Sequence, residues 1–232
     1  MKKYHGFVLD ADNTLFDFHR AERSALFETL SVLPGFIYSE QAYAEYHRIN
    51  EILWRAFENG EVDQENLKQM RFRRLLESLE LAGDPRRLAS DYLTRLSRKD
   101  FLLPHALEVL ETLSRKASLL LLTNGLAEVQ RGRIARAGVE IFFEAIIISE
   151  EVGLAKPDPR IFLLAVEKLR LPAYEILCVG DNPVSDIGGA QQAGLDTCLF
   201  MDPLRSFGSG DPEPDYMITD LRELINFAAE SN

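Results

Sequence analysis

The sequence predicts an α/β fold with a parallel sheet, interrupted by an all-helical insertion. Three observations carry this reading. Short apolar runs alternate with amphipathic stretches over most of the chain. One block, near residues 17–100, carries helical stretches and no strand candidate. Polar residues, many of them acidic, stand directly after several of the apolar runs. Strand, helix, strand in repetition is the pattern of right-handed crossovers in a parallel sheet.

The first strand candidate, residues 6–10 (GFVLD), ends on a carboxylate. Four helical stretches follow, over about residues 19–33, 40–58, 64–81 and 86–99. In the second, Tyr43, Tyr46, Ile49, Leu53 and Phe57 recur every three or four residues and make one apolar face. Pro34-Gly35, Asn59-Gly60 and Gly83-Asp84-Pro85 separate the stretches. The alternation then resumes with strand candidates at 118–124, 145–149, 176–180 and 197–201, and a sixth at 216–219. Their unbroken apolar runs suit strands covered on both faces. Helical periodicity fills 105–116, 127–137, 159–170, 184–194 and 220–230. Gly188-Gly189 and Gly194 read as close packing around a helix, because no phosphate-loop glycine pattern is present. Residues 206–214 are turn-rich and expected to be exposed. The expected organisation is a core of residues 1–16 and 101–232, split by a helical unit of residues 17–100.

Composition excludes several function classes. The 232 residues hold 26 Lys and Arg against 37 Asp and Glu, a net charge of −11, which argues against a nucleic acid polymer as partner. A small phosphorylated ligand needs one local site and stays compatible with that charge. No apolar run approaches the roughly 20 residues of a membrane span, and no secretory signal opens the sequence. A cytoplasmic protein, monomeric or homodimeric, is expected. Cys178 and Cys198 lie in apolar segments without metal or redox spacing, and read as buried free thiols. His5, His19, His47 and His105 match no catalytic pattern.

In an open α/β sheet, ligands bind outside the carboxyl ends of the strands. The residues there, in chain order, are Asp10, Asp12, Asn13 and Thr14, then Thr123, Asn124 and Gly125, then Lys156, then Gly180, Asp181 and Asp186. Two unit charges 4 Å apart repel by roughly 4 kcal/mol at an effective dielectric of 20. Four carboxylates beside one lysine therefore call for a cation. All-oxygen ligands select Mg²⁺ over Zn²⁺. These residues suffice for phosphoryl transfer: one carboxylate attacks phosphorus, cations neutralise the phosphoryl oxygens, and a second acid protonates the leaving oxygen.

The motifs resemble those of the haloacid dehalogenase (HAD) superfamily phosphatases. Asp10-Ala11-Asp12-Asn13-Thr14 is similar to that superfamily's D-x-D-x-T motif, Thr123 to its second motif, Lys156 before Pro157 to its third, and Gly180-Asp181 through Asp186 to its G-D-x-x-x-x-D motif. The resemblance covers essentially the whole chain and implies a Rossmann-like core with an inserted helical cap. It implies Asp10 as nucleophile and Mg²⁺ ligand. It implies Asp12 as general acid then base, its carbonyl also reaching Mg²⁺. Thr123 and Lys156 would hold the phosphoryl group with Asn124 and Gly125 beside them. Asp181 would bind Mg²⁺, and Asp186 would do so directly or through water. Members that displace halide from carbon lack a carboxylate two residues after the nucleophile; Asp12 therefore favours phosphate ester hydrolysis over dehalogenation.

A finer resemblance lies in the cap. Leu53-Trp54, Asn59-Gly60 and Arg71-Phe72 are similar to the bacterial pyrimidine 5′-nucleotidases of this superfamily, as are residues 10–16 (DADNTLF) and 148–157 (ISEEVGLAKP). The implied substrates are nucleoside 5′-monophosphates such as dUMP and dTMP. Acylneuraminate 9-phosphate, phosphoglycolate and sugar phosphates are alternatives, as are a phosphomutase and a binding module. Trp54 either stacks on a base or belongs to the cap core, Arg71 either meets substrate or is an exposed helix charge, and Phe16 either faces the site or packs between core and cap.

Overall fold

A computed structural model describes residues 2–201 and 210–229. The chain divides into two compact units, residues 1–18 with 100–232, and residues 19–99.

The first unit is built on a six-stranded sheet. Its strands are β1 (Gly6–Leu9), β2 (Ser118–Thr123), β3 (Ala145–Ile148), β4 (Ile176–Gly180), β5 (Asp196–Phe200) and β6 (Tyr216–Ile218). Every neighbouring pair is parallel, in the order β3-β2-β1-β4-β5-β6. Alternate side chains enter two cores. Phe7, Leu9, Leu119, Leu121, Leu177 and Val179 pack on one face. Val8, Leu120, Leu122 and Cys178 pack on the other, with Ile161, Phe162 and Ala165. Both faces are buried, so the strands carry no polar alternation.

Helices α5 (Ala106–Leu113), α6 (Ala127–Ala137), α7 (Ser149–Val152), α8 (Pro159–Leu169) and α9 (Gly189–Gln192) fill the connections, preceded by α1–α4 of the insertion. Cys178 and Cys198 are buried free thiols. Two helical stretches differ from expectation. Residues 184–194 do not form one α-helix. Pro183–Gly188 is a wide π turn and α9 follows it. The Asn182 side chain accepts from Val184 N and Ser185 N, while its carbonyl accepts from Asp186 N and Ile187 N. Near the C-terminus, Leu221–Phe227 is a 3₁₀ helix, because the chain then peels away to pair Ala228 with Tyr4. The loop expected at 206–214 falls partly outside the described residues.

The second unit is all helical: α1 (Phe18–Leu30), α2 (Glu40–Glu58), α3 (Gln64–Ser78) and α4 (Pro85–Leu96). Caps fix the starts of α2 to α4: Ser39 accepts from Ala42 N, Asp63 from Asn66 N, and Asp84 from Arg86 N ahead of Pro85. Three helices stop about a turn earlier than periodicity predicts. Pro34 cannot continue α1, and Glu80, at φ 52°, turns the chain out of α3. Tyr46, Phe72 and Tyr92 meet at ring centroid distances of 5.4–5.8 Å and centre the core of this unit.

Glu22 is buried in the same unit. Its carboxylate accepts from His47 Nδ1 at 2.9 Å and from Asn50 Nδ2 at 2.8 Å. The hydrogen bond to Glu22 raises His47 above the ordinary imidazole range, burial opposing it. A raised His contributes stability that is complete below about pH 6.5 and lost as pH rises through the folded value. The thermal midpoint is therefore expected to fall as pH rises above about 6.5, and His47→Gln to flatten that fall in melts followed by circular dichroism.

Gly189 shows why a glycine is needed at the start of α9. A Cβ there would stand 2.9 Å from Pro157 backbone atoms and 2.6 Å from the Phe162 ring. Gly189→Ala is expected to destabilise the core unit by about 1–3 kcal/mol in urea unfolding, because overpacking displaces the Pro157 backbone.

Candidate active site

The strand order reverses around β1: β2 lies on one side and β4 on the other. This is the switch point at which open α/β sheets leave a crevice. Register places the critical residues there. Leu9 pairs with Leu121 and with Val179, so the chain leaves β1, β2 and β4 at similar height. Asp10 N still bonds Val179 O at 2.9 Å, which fixes its backbone at the sheet edge.

Lys156 is the centre of the cluster. Its Nζ donates to Asp10 Oδ1 and to Asp186 Oδ1, each at 2.6 Å, and to Leu122 O at 3.3 Å. All three charged side chains are buried. Burial opposes the charge on Lys156, but the two carboxylates outweigh it and hold the ammonium protonated. Burial pushes the Asp10 carboxyl up to about 7, with Lys156 pulling down and Asp186 pushing up.

Neighbouring residues hold this lysine in place. Asn124 Nδ2 donates to Lys156 O, and Lys156 N donates back to Asn124 Oδ1, both at 2.8 Å. Asn124 is thus bonded to the lysine loop through both its side-chain atoms. Asp186 reaches inward because the π turn brings it back over Gly180. Asn182 N donates to Asp186 Oδ2 at 3.0 Å, and a Cβ on Gly180 would lie 2.3 Å from that oxygen. Thr123 is buried at the end of β2, and its Oγ1 accepts from Gly125 N at 3.2 Å.

Asp10, Asp181 and Asp186 bring carboxylate oxygens within 4.8 Å of one another. Three carboxylates against one ammonium leave an excess of two negative charges, which one divalent cation cancels. The donors are all oxygen. Both features fit Mg²⁺, with Asp10, Asp181 and Asp186 as the side chains able to hold it. His19, Glu22 and His47 form a second close group, in the helical unit. There the Asn50 and His47 bonds already satisfy Glu22.

Asp12 has a different environment. Gln130 Nε2 donates to its Oδ2 at 2.6 Å, and Arg133 Nη1 to its Oδ1. Arg133 is fully buried. Its guanidinium lies 4.7 Å from the Phe16 ring centroid and 5.6 Å from that of Phe18. Sequence reasoning missed Gln130 and Arg133. The signal was present: with Leu126, Ile134 and Ala137 they complete a stripe at spacings of three and four on α6, so polar groups occupy its inward face.

Two sequence expectations are corrected by burial. Phe16 is wholly buried under Arg133 and does not present a face to substrate. Arg71 is neither an exposed helix charge nor open to a ligand. It is 2% exposed, stacks on Tyr92 at 4.8 Å and donates to Asn50 Oδ1 at 3.3 Å. Trp54 is half-buried on α2, edge-on to Phe57. Among the described residues, no helix is long and apolar enough to cross a membrane.

Residues 4–194 match the family described as haloacid dehalogenase-like hydrolase. The chain is 33% identical to the HAD hydrolase YfnB of Bacillus subtilis over 97% of its own length and 96% of that protein's. It is 31% identical to the pyrimidine 5′-nucleotidase YjjG of Escherichia coli, over 96% of each chain. It is 29% identical to the pyrimidine 5′-nucleotidase PynA of Streptococcus pneumoniae, over 96% of this chain and 94% of that one. A crystal structure of YfnB bound to magnesium superposes with a TM-score of 0.89, at 31% identity, covering 97% of this chain and 98% of that one. The chain belongs to the haloacid dehalogenase-like hydrolases.

Proposed function

We propose that this HAD-type phosphatase hydrolyses nucleoside 5′-monophosphates, pyrimidine deoxynucleotides foremost, through an aspartyl phosphate on Asp10. The observation that carries the chemistry is the convergence of Asp10, Lys156 and Asp186 beside Thr123 at one switch point, with a second carboxylate two residues after Asp10. The nucleotide preference rests on the likeness to YjjG and PynA over nearly the whole chain.

In the first step an Asp10 oxygen attacks phosphorus and the ester P–O bond breaks. Asp12 gives its proton to the leaving oxygen, releasing the nucleoside. In the second step Asp12 takes a proton from water as the water oxygen attacks phosphorus. The bond to Asp10 breaks and inorganic phosphate leaves. Lys156 Nζ and the Thr123 hydroxyl hold phosphoryl oxygens in both steps, where developing charge is greatest. Mg²⁺ held by Asp10, Asp181 and Asp186 would supply further neutralisation of those oxygens. Asp186 also holds Lys156 toward Asp10. Asp12 disfavours a dehalogenase reading, because displacement of halide leaves no alkoxide to protonate.

Asp10→Asn is expected to lower phosphate release by about 10³-fold or more, since an amide cannot form the intermediate. EDTA is expected to abolish turnover and added Mg²⁺ to restore it. Normal turnover by Asp10→Asn would overturn the nucleophile assignment.

A phosphate-release screen over nucleoside monophosphates, sugar phosphates, phosphoglycolate and acylneuraminate 9-phosphate tests the substrate class. The highest kcat/KM is expected with dUMP or dTMP. A preference for a sugar phosphate would replace the nucleotide reading and leave the chemistry standing.

A further inference from the structure

The two carboxylates of the first motif are held by different cations. Asp10 is bonded by Lys156, whereas each oxygen of Asp12 accepts one bond from a side chain of α6 and keeps a second lone pair, where the transferable proton sits. We propose that Gln130 and Arg133 are positioning residues that set the Asp12 carboxyl for proton transfer to the leaving oxygen. This inference rests on the phosphatase reading above.

Two donors on one carboxylate fix more than its location. A single hydrogen bond leaves the group free to turn about that contact. Gln130 on Oδ2 and Arg133 on Oδ1 also fix the plane of the carboxylate. Proton transfer between heavy atoms demands that kind of alignment, because reach and angle both enter the transition state.

The clamp is itself rigid. Arg133 has no exposed surface, and its guanidinium rests on Phe16 and Phe18. Phe16 belongs to the turn that carries Asp12: Asn13 N donates to Phe16 O at 2.8 Å, and Phe16 N donates to Ala11 O at 2.8 Å. The arginine therefore holds the carboxylate and the turn beneath it together. Gln130 is also buried, and it passes so close to Gly125 that a Cβ there would stand 2.2 Å from Nε2. Gly125, expected from sequence to bind substrate, thus makes the space through which Gln130 reaches Asp12.

A purely structural clamp and a positioning clamp differ in one measurable respect. Loss of a structural clamp lowers turnover of every ester alike. Loss of a general acid's alignment matters most when the leaving group is basic. A nucleoside 5′-alkoxide needs a proton as the P–O bond breaks, whereas p-nitrophenolate leaves without one.

The experiment compares wild type, Asp12→Asn, Gln130→Ala, Arg133→Lys, Arg133→Met and Gly125→Ala on dUMP and on p-nitrophenyl phosphate, with thermal melts of each. Asp12→Asn calibrates the full effect. Gln130→Ala and Arg133→Lys are expected to lose kcat/KM on dUMP by about 10–10²-fold, less than the roughly 10²–10⁴-fold of a complete loss of general acid catalysis, because the carboxyl itself remains. They should lose several-fold less kcat/KM on the aryl ester; that ratio is set by the step that expels the leaving group, whereas hydrolysis of the aspartyl phosphate is common to both esters. Arg133→Lys should retain more activity than Arg133→Met, because it keeps the charge and loses the fork. Gly125→Ala should copy Gln130→Ala.

Equal losses of kcat/KM on both esters, or no loss on either, would overturn the proposal. If Arg133→Lys does not fold, Gln130→Ala decides alone, since it leaves the Arg133–Asp12 ion pair in place. If the wild type turns over the aryl ester and not dUMP, only the nucleotide reading falls. Glycerol phosphate then serves as the alkyl ester and the comparison stands. No turnover of any phosphate monoester by the wild type would remove the phosphatase reading and this inference together.

Discussion

A buried ammonium between two buried carboxylates is the constraint around which the core unit is organised. Lys156 lies on a loop after β3, Asp10 at the end of β1 and Asp186 beyond β4. Burying such charges costs several kcal/mol per ion unless geometry and extra hydrogen bonds compensate. The local structure supplies that compensation. Asn124 fixes the lysine backbone, the π turn returns Asp186 to the site, and Gly180 and Gly189 give up their side chains so that the pieces approach. Removing one partner would leave an unpaired buried charge, which is far costlier than losing the pair. The charged centre therefore explains several departures from regular structure that hydrophobic packing alone does not require.

The same constraint separates two carboxylates only two residues apart. Asp10 remains bonded into the sheet and sits in the field of Lys156 and Asp186. Asp12 lies past the last strand bond, just before Asn13 at φ 62°, and faces α6 instead. An asparagine tolerates that left-handed conformation better than most residues. The turn thus sends consecutive acidic groups toward different cations. In the proposed mechanism, environment rather than residue type gives one the place of a nucleophile and the other that of an acid.

The parts of this arrangement that were legible in the sequence are those with local signals. Each strand is a short apolar run, and each main site residue follows such a run or precedes a proline. The parts that were not legible depend on tertiary burial. Arg133 and Gln130 look like ordinary surface residues of an amphipathic helix until their stripe is seen to face inward. Arg71 carries the same ambiguity in the helical unit, and its burial against Tyr92 and Asn50 has no local signature. Residues 184–194 have helical composition, and only the need to bring Asp186 over Gly180 makes the first turn wide. Sequence thus reports which groups carry charge at the strand ends. It is less informative about which groups carry charge inside.

The helical unit applies a similar logic without any catalytic residue being assigned to it. Its aromatic core of Tyr46, Phe72 and Tyr92 is apolar and tolerant of sliding, since rings pack at several angles. Glu22 removes that freedom. One oxygen must meet His47 and the other Asn50, which stand three residues apart on α2. A slip of α1 by one turn against α2 would take the buried carboxylate away from both His47 and Asn50. Asn50 in turn accepts from Arg71 of α3, so the polar contact extends across a third helix. Buried polar groups of this kind add little net stability over an apolar replacement, but they penalise alternative registers heavily. Both units therefore use a buried carboxylate to select one arrangement from several that their apolar packing would accept.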